Sequence, residues 1–184
     1  MNKPLIVFGA TSFVGQILCR YLHELNLNEQ AQGGSLNWLM AARSEEKLKR
    51  LQQELGGPHV PEYRLADAAN ETQLRALCDE AGVIISTVGP YALFGETLVR
   101  VCAETGTDYC DLTGETQWIR RMIDRYETKA RESGARIVNC CGFDSIPSDL
   151  GVWFLQQQAQ QQLGTYCRHV KMRVRKFKGG FSGG

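Results

Sequence analysis

The 184-residue sequence lacks a marked charge imbalance and a long hydrophobic run. Its 21 basic and 20 acidic residues give a formal net charge of +1, so no excess of positive charge indicates a nucleic-acid partner. No stretch reaches the roughly 18 consecutive apolar residues that a membrane span needs, so no integral membrane segment is expected. A small-molecule substrate or ligand is the partner that these absences leave open.

Metal-binding cysteine spacing is also absent. The seven cysteines are scattered, two of them are the neighbours Cys140 and Cys141, and no Cys-x-x-Cys occurs. Neither a zinc site nor a thioredoxin-like couple is indicated, so no metal site is predicted. We expect reduced, mostly buried thiols and a cytoplasmic protein.

What the sequence does contain is an alternation of short β-branched runs with segments of helical period. This alternation is typical of βαβ units. Six strands are predicted, over residues 5–8, 38–42, 60–65, 83–88, 108–112 and 135–141. Ser44 and Asn70 are predicted to cap the helices that follow the second and third strands. The predicted fold class is α/β: a Rossmann-type, doubly wound, mostly parallel sheet.

Near the C-terminus, Val170, Met172 and Val174 alternate with basic residues. A period of two predicts a half-exposed strand over residues 169–177. We expect residues 1–165 to form an NAD(P)-binding Rossmann domain and residues 166–184 to be the first strand of a truncated substrate or dimerisation domain. Since a strand needs a partner, pairing with a second copy is one expectation, which would give a homo-oligomer.

Residues 9–15 match Gly-x-x-Ser-x-x-Gly between a strand and an amphipathic helix, the setting of a dinucleotide-binding turn. Gly9 permits the tight turn, Gly15 lets the helix pack closely on the strands, and the helix N–H groups face the pyrophosphate. Ser12 stands where glycine is more usual and could donate a hydrogen bond to phosphate. The predicted phosphate-binding residues are Gly9, Ala10, Thr11, Ser12, Phe13, Val14 and Gly15; the alternative is a structural turn in another α/β protein.

The second strand ends in Ala42-Arg43-Ser44 and not in the acidic residue that would bind a ribose 2′-hydroxyl. Arg43 offers a guanidinium for a 2′-phosphate, with Ser44 and Lys47 as helpers. NADP is therefore predicted, with NAD as the second choice. The alternative is that Arg43 is an ordinary surface arginine.

Loops after the later strands supply the remaining candidates. Asp67 is predicted to contact the adenine or to cap a helix. Thr87, Val88, Gly89 and Pro90 lie at a topological switch point and are predicted to pass close to the nicotinamide ribose. The candidate catalytic groups near the nicotinamide are Tyr91, Asp111 and Asp144, although Asp144 or Ser145 could instead cap the next helix.

Five segments, taken in order, resemble the saccharopine dehydrogenase-like oxidoreductases, which include the trans-acting enoyl reductases of bacterial lipid synthesis. They cover residues 9–15, 42–48, 88–91, 109–115 and 141–149. The resemblance implies a Rossmann domain followed by a second α/β domain that shapes the substrate pocket. It also implies NAD(P)-dependent hydride transfer to or from an imine, a carbonyl or an activated alkene, for which this chain alone would be incomplete.

Two other functions are weighed against this one. A non-catalytic dinucleotide-sensing module could use the same fold, because a fold does not determine a function. A sugar-nucleotide epimerase or another extended short-chain dehydrogenase would need Tyr-x-x-x-Lys, but Lys129 follows Tyr126 by only three positions. The epimerase hypothesis is therefore rejected.

Overall fold

The structure is a computed structural model, and it describes residues 3–176 and 178. The strands in that part of the chain are β1 (Leu5–Phe8), β2 (Trp38–Ala42), β3 (Tyr63–Leu65), β4 (Val83–Ser86), β5 (Asp108–Asp111) and β6 (Ile137–Val138). The helices are α1 (Phe13–Ala31), α2 (Glu45–Leu55), α3 (Glu71–Glu80), α4 (Tyr91–Phe94), α5 (Glu96–Thr105), α6 (Thr116–Ser133) and α7 (Ile146–Leu163).

The strands form one sheet in the order β3-β2-β1-β4-β5-β6, and every pairing is parallel. The chain runs outward from β1 to β3 and then returns to the other side of β1 as β4. The reversal leaves a crevice between the carboxyl ends of β1 and β4, where ligands of open α/β sheets bind. The Rossmann-type fold predicted from the sequence is confirmed.

Alternating side chains of the central strands build the core on both faces of the sheet. Ile6 and Phe8 of β1 pack in the cluster that contains α3, α5 and α6 residues. Val7, between them, packs with α1 and α2. Burial on both faces explains why these strands are continuously apolar and do not alternate with polar residues.

Side-chain caps set the starts of three helices. Ser12, Ser44 and Asn70 each accept a hydrogen bond from the N–H three residues further on. Such caps satisfy a donor that the first helical turn leaves without a backbone partner. The sequence predicted the caps at Ser44 and Asn70, and both are present.

An ion-pair network joins α3 to α5. Glu71 binds Arg100 at 2.7 Å and Arg75 at 2.9 Å, and Glu104 pairs with both arginines. The hydrogen bonds from Arg100 and then Arg75 lower the pKa of Glu71 to about 2. The network links α3 and α5 at the protein surface, while apolar residues of both helices pack on the sheet.

The C-terminal part departs from the sequence prediction. No strand forms over residues 169–176, and residue 177 lies outside the described residues. The alternation of apolar and basic residues gives residues 169–176 an apolar face, but no described segment pairs with them as a neighbouring strand. On α7, Trp153 and Phe154 are 61% and 59% exposed, so the helix leaves a broad apolar surface uncovered.

Candidate cofactor site

The turn between β1 and α1 is closed so tightly that two of its positions exclude a side chain. Gly9 has φ +88°, and a Cβ there would lie 2.7 Å from Thr87 Oγ1. A Cβ on Gly15 would lie 2.2 Å from the carbonyl oxygen of Gly9. The two glycines therefore let α1 start directly over the end of β1.

This close start leaves backbone donors free. The N–H groups of Ser12, Gly15 and Gln16 are bonded within the turn, to Gly9 O, Ser12 Oγ and Ser12 O. Within the described residues, the N–H groups of Thr11, Phe13 and Val14 have no acceptor. Three free donors at the start of a 19-residue helix form an anion-binding arrangement.

Ser12 joins the turn to the end of β4. Its Oγ lies 3.0 Å from Thr87 Oγ1, and Thr87 Oγ1 donates to the carbonyl of Gly9 at 3.0 Å. Since Thr87 has one hydroxyl proton and donates it to Gly9, Ser12 donates to Thr87. The hydroxyl proton that the sequence analysis assigned to phosphate is therefore used inside the protein, and the free donors of the turn are backbone N–H groups.

Arg43 lies just beyond β2, next to the first turn of α2. Its side chain is exposed, and no ion pair or hydrogen bond occupies it within residues 3–176. Ser44 accepts a hydrogen bond from Lys47 N at 3.4 Å. Between α2 and the glycine turn lies a cavity of about 270 Å³, which Lys47 and Thr11 line together.

The segment after β4 faces the glycine turn. Thr87 is buried, Val88 is half-buried, and Gly89 and Pro90, joined by a cis peptide bond, are exposed. Through the bonds of Thr87, this segment and the turn form the two walls of the crevice between β1 and β4. The structure thus brings together the residues predicted for phosphate and for the nicotinamide ribose.

Tyr91, a predicted catalytic residue, lies inside the protein. Its hydroxyl donates to the carbonyl of Ser86 at 2.9 Å and accepts from Leu112 N at 3.4 Å, while its ring packs on Trp118. Burial raises the pKa of Tyr91 well above its ordinary value. In this arrangement the phenol joins the end of β4 to the end of β5 and does not face the crevice as a free acid.

Asp111 is also enclosed, with 1% of its surface exposed. Its two carboxylate oxygens accept from Tyr109 Oη, Asn139 Nδ2, Thr113 N and Cys140 N at 2.7 to 3.2 Å. Burial raises the pKa of the Asp111 carboxyl, against the opposing effect of these four bonds. Asp111 therefore holds the loops after β5 and β6 together.

Asp144 differs from the other two candidates because it is exposed on the loop before α7. Neither alternative cap operates there, since Ser145 occupies the cap position and makes no side-chain cap bond. Asp67, after β3, accepts from Ala69 N at 2.8 Å, so one of its carboxylate oxygens supports the turn before α3. The helix itself is capped by Asn70.

Glu115 has a role at this edge of the sheet that the sequence reasoning missed. Its carboxylate accepts from the N–H groups of both Tyr91 and Ala92, at 2.7 and 2.9 Å. The only available signal was Gly114-Glu115, which lies after a strand and just before a helix. Nothing in that signal reveals that the acceptor serves the first residues of α4, Tyr91 and Ala92, which lie well before Glu115 in the chain.

The remaining chemical groups to consider are metal-ligating side chains and thiols. Within the part of the chain that the structure describes, no cluster of three metal-ligating side chains occurs, and no helix combines the length and the apolarity of a membrane span. All seven cysteines are free thiols. The expectation that they are mostly buried is wrong: Cys19, Cys78 and Cys102 are buried, and the other four are not.

Comparison with known families gives a match along the whole sheet. The model of the saccharopine dehydrogenase NADP-binding domain matches residues 5–138. That range runs from the first residue of β1 to the last residue of β6. It therefore includes the glycine turn, Arg43 and the segment after β4.

The relatives that this chain matches are longer than the chain itself. A trans-acting enoyl reductase of Mycobacterium bovis is 40% identical over 166 residues, which are 89% of this chain and 38% of that protein. One from Mycobacterium ulcerans is 38% identical over 175 residues, which are 94% of this chain and 40% of that protein. The chain thus spans about two-fifths of the length of these relatives.

A solved structure repeats the fold at low identity. The apo saccharopine dehydrogenase (L-Glu forming) of Saccharomyces cerevisiae superposes with a TM-score of 0.67 at 16% identity, over 87% of this chain and 32% of that chain. At this identity the likeness concerns the fold alone.

Proposed function

Because the chain belongs to the saccharopine dehydrogenase NADP-binding domain family, we propose that it is the cofactor-binding portion of an NADP-dependent oxidoreductase. The observation that carries the proposal is the set of free N–H groups at Thr11, Phe13 and Val14, above the close contact of Gly9 and Gly15. The bound nicotinamide supplies the hydride chemistry, and the protein orients the cofactor and the reacting proton.

The proposed substrate is an imine, a carbonyl or an activated alkene. Among these, the activated alkene is favoured, because the relatives that match nearly the whole chain are named trans-acting enoyl reductases. The activity itself is tested on a polypeptide that spans the relatives' full length, by following NADPH absorbance with an α,β-unsaturated acyl compound. Cofactor binding without turnover on any of the three substrate classes would favour the dinucleotide-sensing alternative.

Each end of the cofactor has proposed partners. Arg43, helped by Ser44 and Lys47, would bind the 2′-phosphate, since its guanidinium is unpaired and forms strong bonds with phosphate. Asp67 has a second carboxylate oxygen for the adenine amino group. Thr87, Val88, Gly89 and Pro90 would pass along the nicotinamide ribose.

Of the three candidate catalytic residues, Asp144 is the one we retain for proton transfer. It is exposed beside the carboxyl edge of the sheet, and no described group occupies its carboxylate. Tyr91 and Asp111 are proposed to position loops, because their polar atoms are already bonded inside the protein.

Residues 166–184 are proposed to belong to a second domain, and this domain is proposed to cover α7. Over residues 169–176 the strand predicted from the sequence is not formed. The exposed apolar side chains of α7, among them Leu150, Trp153 and Phe154, support this proposal, because large contiguous apolar patches mark surfaces that another element covers. A second copy packed on the same surface is the homo-oligomer alternative, which sedimentation at several concentrations tests. A cytoplasmic location is proposed on the seven free thiols.

The cofactor assignment is tested by calorimetric titration of NADPH and NADH into the chain. NADPH should bind about 10- to 100-fold more tightly, because charge-assisted hydrogen bonds contribute about 1.5–3 kcal/mol each. The change Arg43→Ala should remove this preference and leave the affinity for NADH unchanged. Arg121→Ala, an exposed arginine on α6, is the matched control. Equal or tighter binding of NADH to the unmodified chain would reject NADP.

A further inference from the structure

The carboxylate of Glu115, which follows β5, holds the far end of the segment after β4. The two oxygens of Glu115 accept separately from Tyr91 N at 2.7 Å and Ala92 N at 2.9 Å. Pro90, which occupies the cap position of α4, has no side chain that could serve these donors. The two carboxylate oxygens of Glu115 give each of these adjacent N–H groups an acceptor of its own.

Glu115 is itself fixed by the loop after β5. Its N–H donates to Thr113 Oγ1 at 3.1 Å, and Thr113 N donates to the buried carboxylate of Asp111 at 3.1 Å. Thr113 and Asp111 are each 1% exposed. The carboxylate of Glu115 is therefore presented from a rigid base to the neighbouring loop.

The position of the segment after β4 matters because this segment forms one wall of the crevice. Residues 87–90 leave β4 beside the glycine turn, to which Thr87 is bonded through Gly9 O. At the other end, the segment is held by Glu115. Gly89 and Pro90, which lie between these two attachments, are exposed and have no side-chain anchor of their own.

We propose that Glu115 is a positioning residue that fixes residues 87–90 in the shape that receives the nicotinamide half of the cofactor. Its effect is local to that half, because the adenosine-side residues lie across the crevice on β1, β2 and α2. This inference rests on the proposed function. It adds a residue from outside the crevice to the cofactor site.

The test compares two ligands and two variants. NADPH and 2′,5′-ADP, which lacks the nicotinamide half, are titrated into the unmodified chain, into Glu115→Gln and into Glu96→Gln. The amide of Glu115→Gln keeps one acceptor and turns an NH₂ group toward the second N–H. Glu96 is the matched control, since its side chain also holds a neighbouring element, through Tyr126 and Arg125, but lies outside the crevice. Thermal unfolding of all three proteins is measured in parallel.

We expect Glu115→Gln to weaken NADPH binding about 10-fold, to leave the affinity for 2′,5′-ADP unchanged, and to lower the melting temperature no more than Glu96→Gln does. Unchanged NADPH affinity, or an equal loss for both ligands, would overturn the inference. The inference would also be overturned if the unmodified chain binds NADPH no more tightly than 2′,5′-ADP. An unmodified chain that binds neither ligand would instead overturn the proposed function.

Discussion

The contact between Gly15 and Gly9 allows a quantitative prediction for Gly15→Ala. The new methyl carbon would lie 2.2 Å from the Gly9 carbonyl oxygen and 2.9 Å from its carbon, so α1 or the turn must move by about 1 Å to reach ordinary contact distance. Over-packing costs about 1–3 kcal/mol, and a backbone neighbour that cannot rotate away places the cost at about 3 kcal/mol. The helical preference of alanine offsets about 1 kcal/mol. The expected net loss is therefore about 2 kcal/mol, or about 4–8 °C in melting temperature.

Gly151→Ala in α7 is the matched control, because both glycines lie in helices and no atom lies within 4 Å of a Cβ at Gly151. There the helical preference acts alone and should stabilise the protein by about 0.5–1 kcal/mol. Urea unfolding of the two variants and the unmodified chain measures both effects. NADPH titration should show at least 10-fold weaker binding for Gly15→Ala alone, since its phosphate donors move. Two variants that both gain stability would refute the steric argument.

Three further changes test other parts of the structure. Ser12→Ala should lower the free energy of unfolding by about 1–2 kcal/mol, as the cap variant Asn70→Ala should. Its NADPH affinity should change little, and a large loss of affinity would show that Ser12 donates to phosphate. Asp111→Asn should lower the free energy of unfolding in urea by about 3 kcal/mol or more, because an amide leaves two of the four donors around this buried side chain without acceptors. A loss below about 1 kcal/mol would contradict the four-bond geometry. The lowered pKa of Glu71 contributes stability that is present above about pH 4.5 and is lost as the pH falls through about 2. Unfolding free energies of the unmodified chain and Glu71→Gln should therefore converge as the pH falls from about 5 toward about 2, and parallel profiles would exclude this contribution.

Local sequence determined the parts of the fold that depend on neighbouring residues. The run of residues 38–42 predicted β2 with its observed bounds, and Ser44 and Asn70 predicted two helix starts. The glycine spacing predicted the turn because a tight strand-to-helix connection leaves no room for side chains at its two ends. The position directly after β2 holds Arg43 and not an acidic residue, and this is why the sequence predicts a 2′-phosphate ligand there.

Tertiary structure decided which polar groups remain available. From the sequence, Tyr91 and Asp111 are free acids at the ends of strands, whereas packing has already bonded the Tyr91 hydroxyl and both carboxylate oxygens of Asp111 within the protein. Glu115 was missed for the complementary reason, since its partners come from a distant part of the chain. Alternating residues 169–176 likewise specify an apolar face, but a strand forms only where another strand offers hydrogen bonds. Sequence patterns determine what a segment can do, and long-range contacts determine which of its donors and acceptors are left to do it.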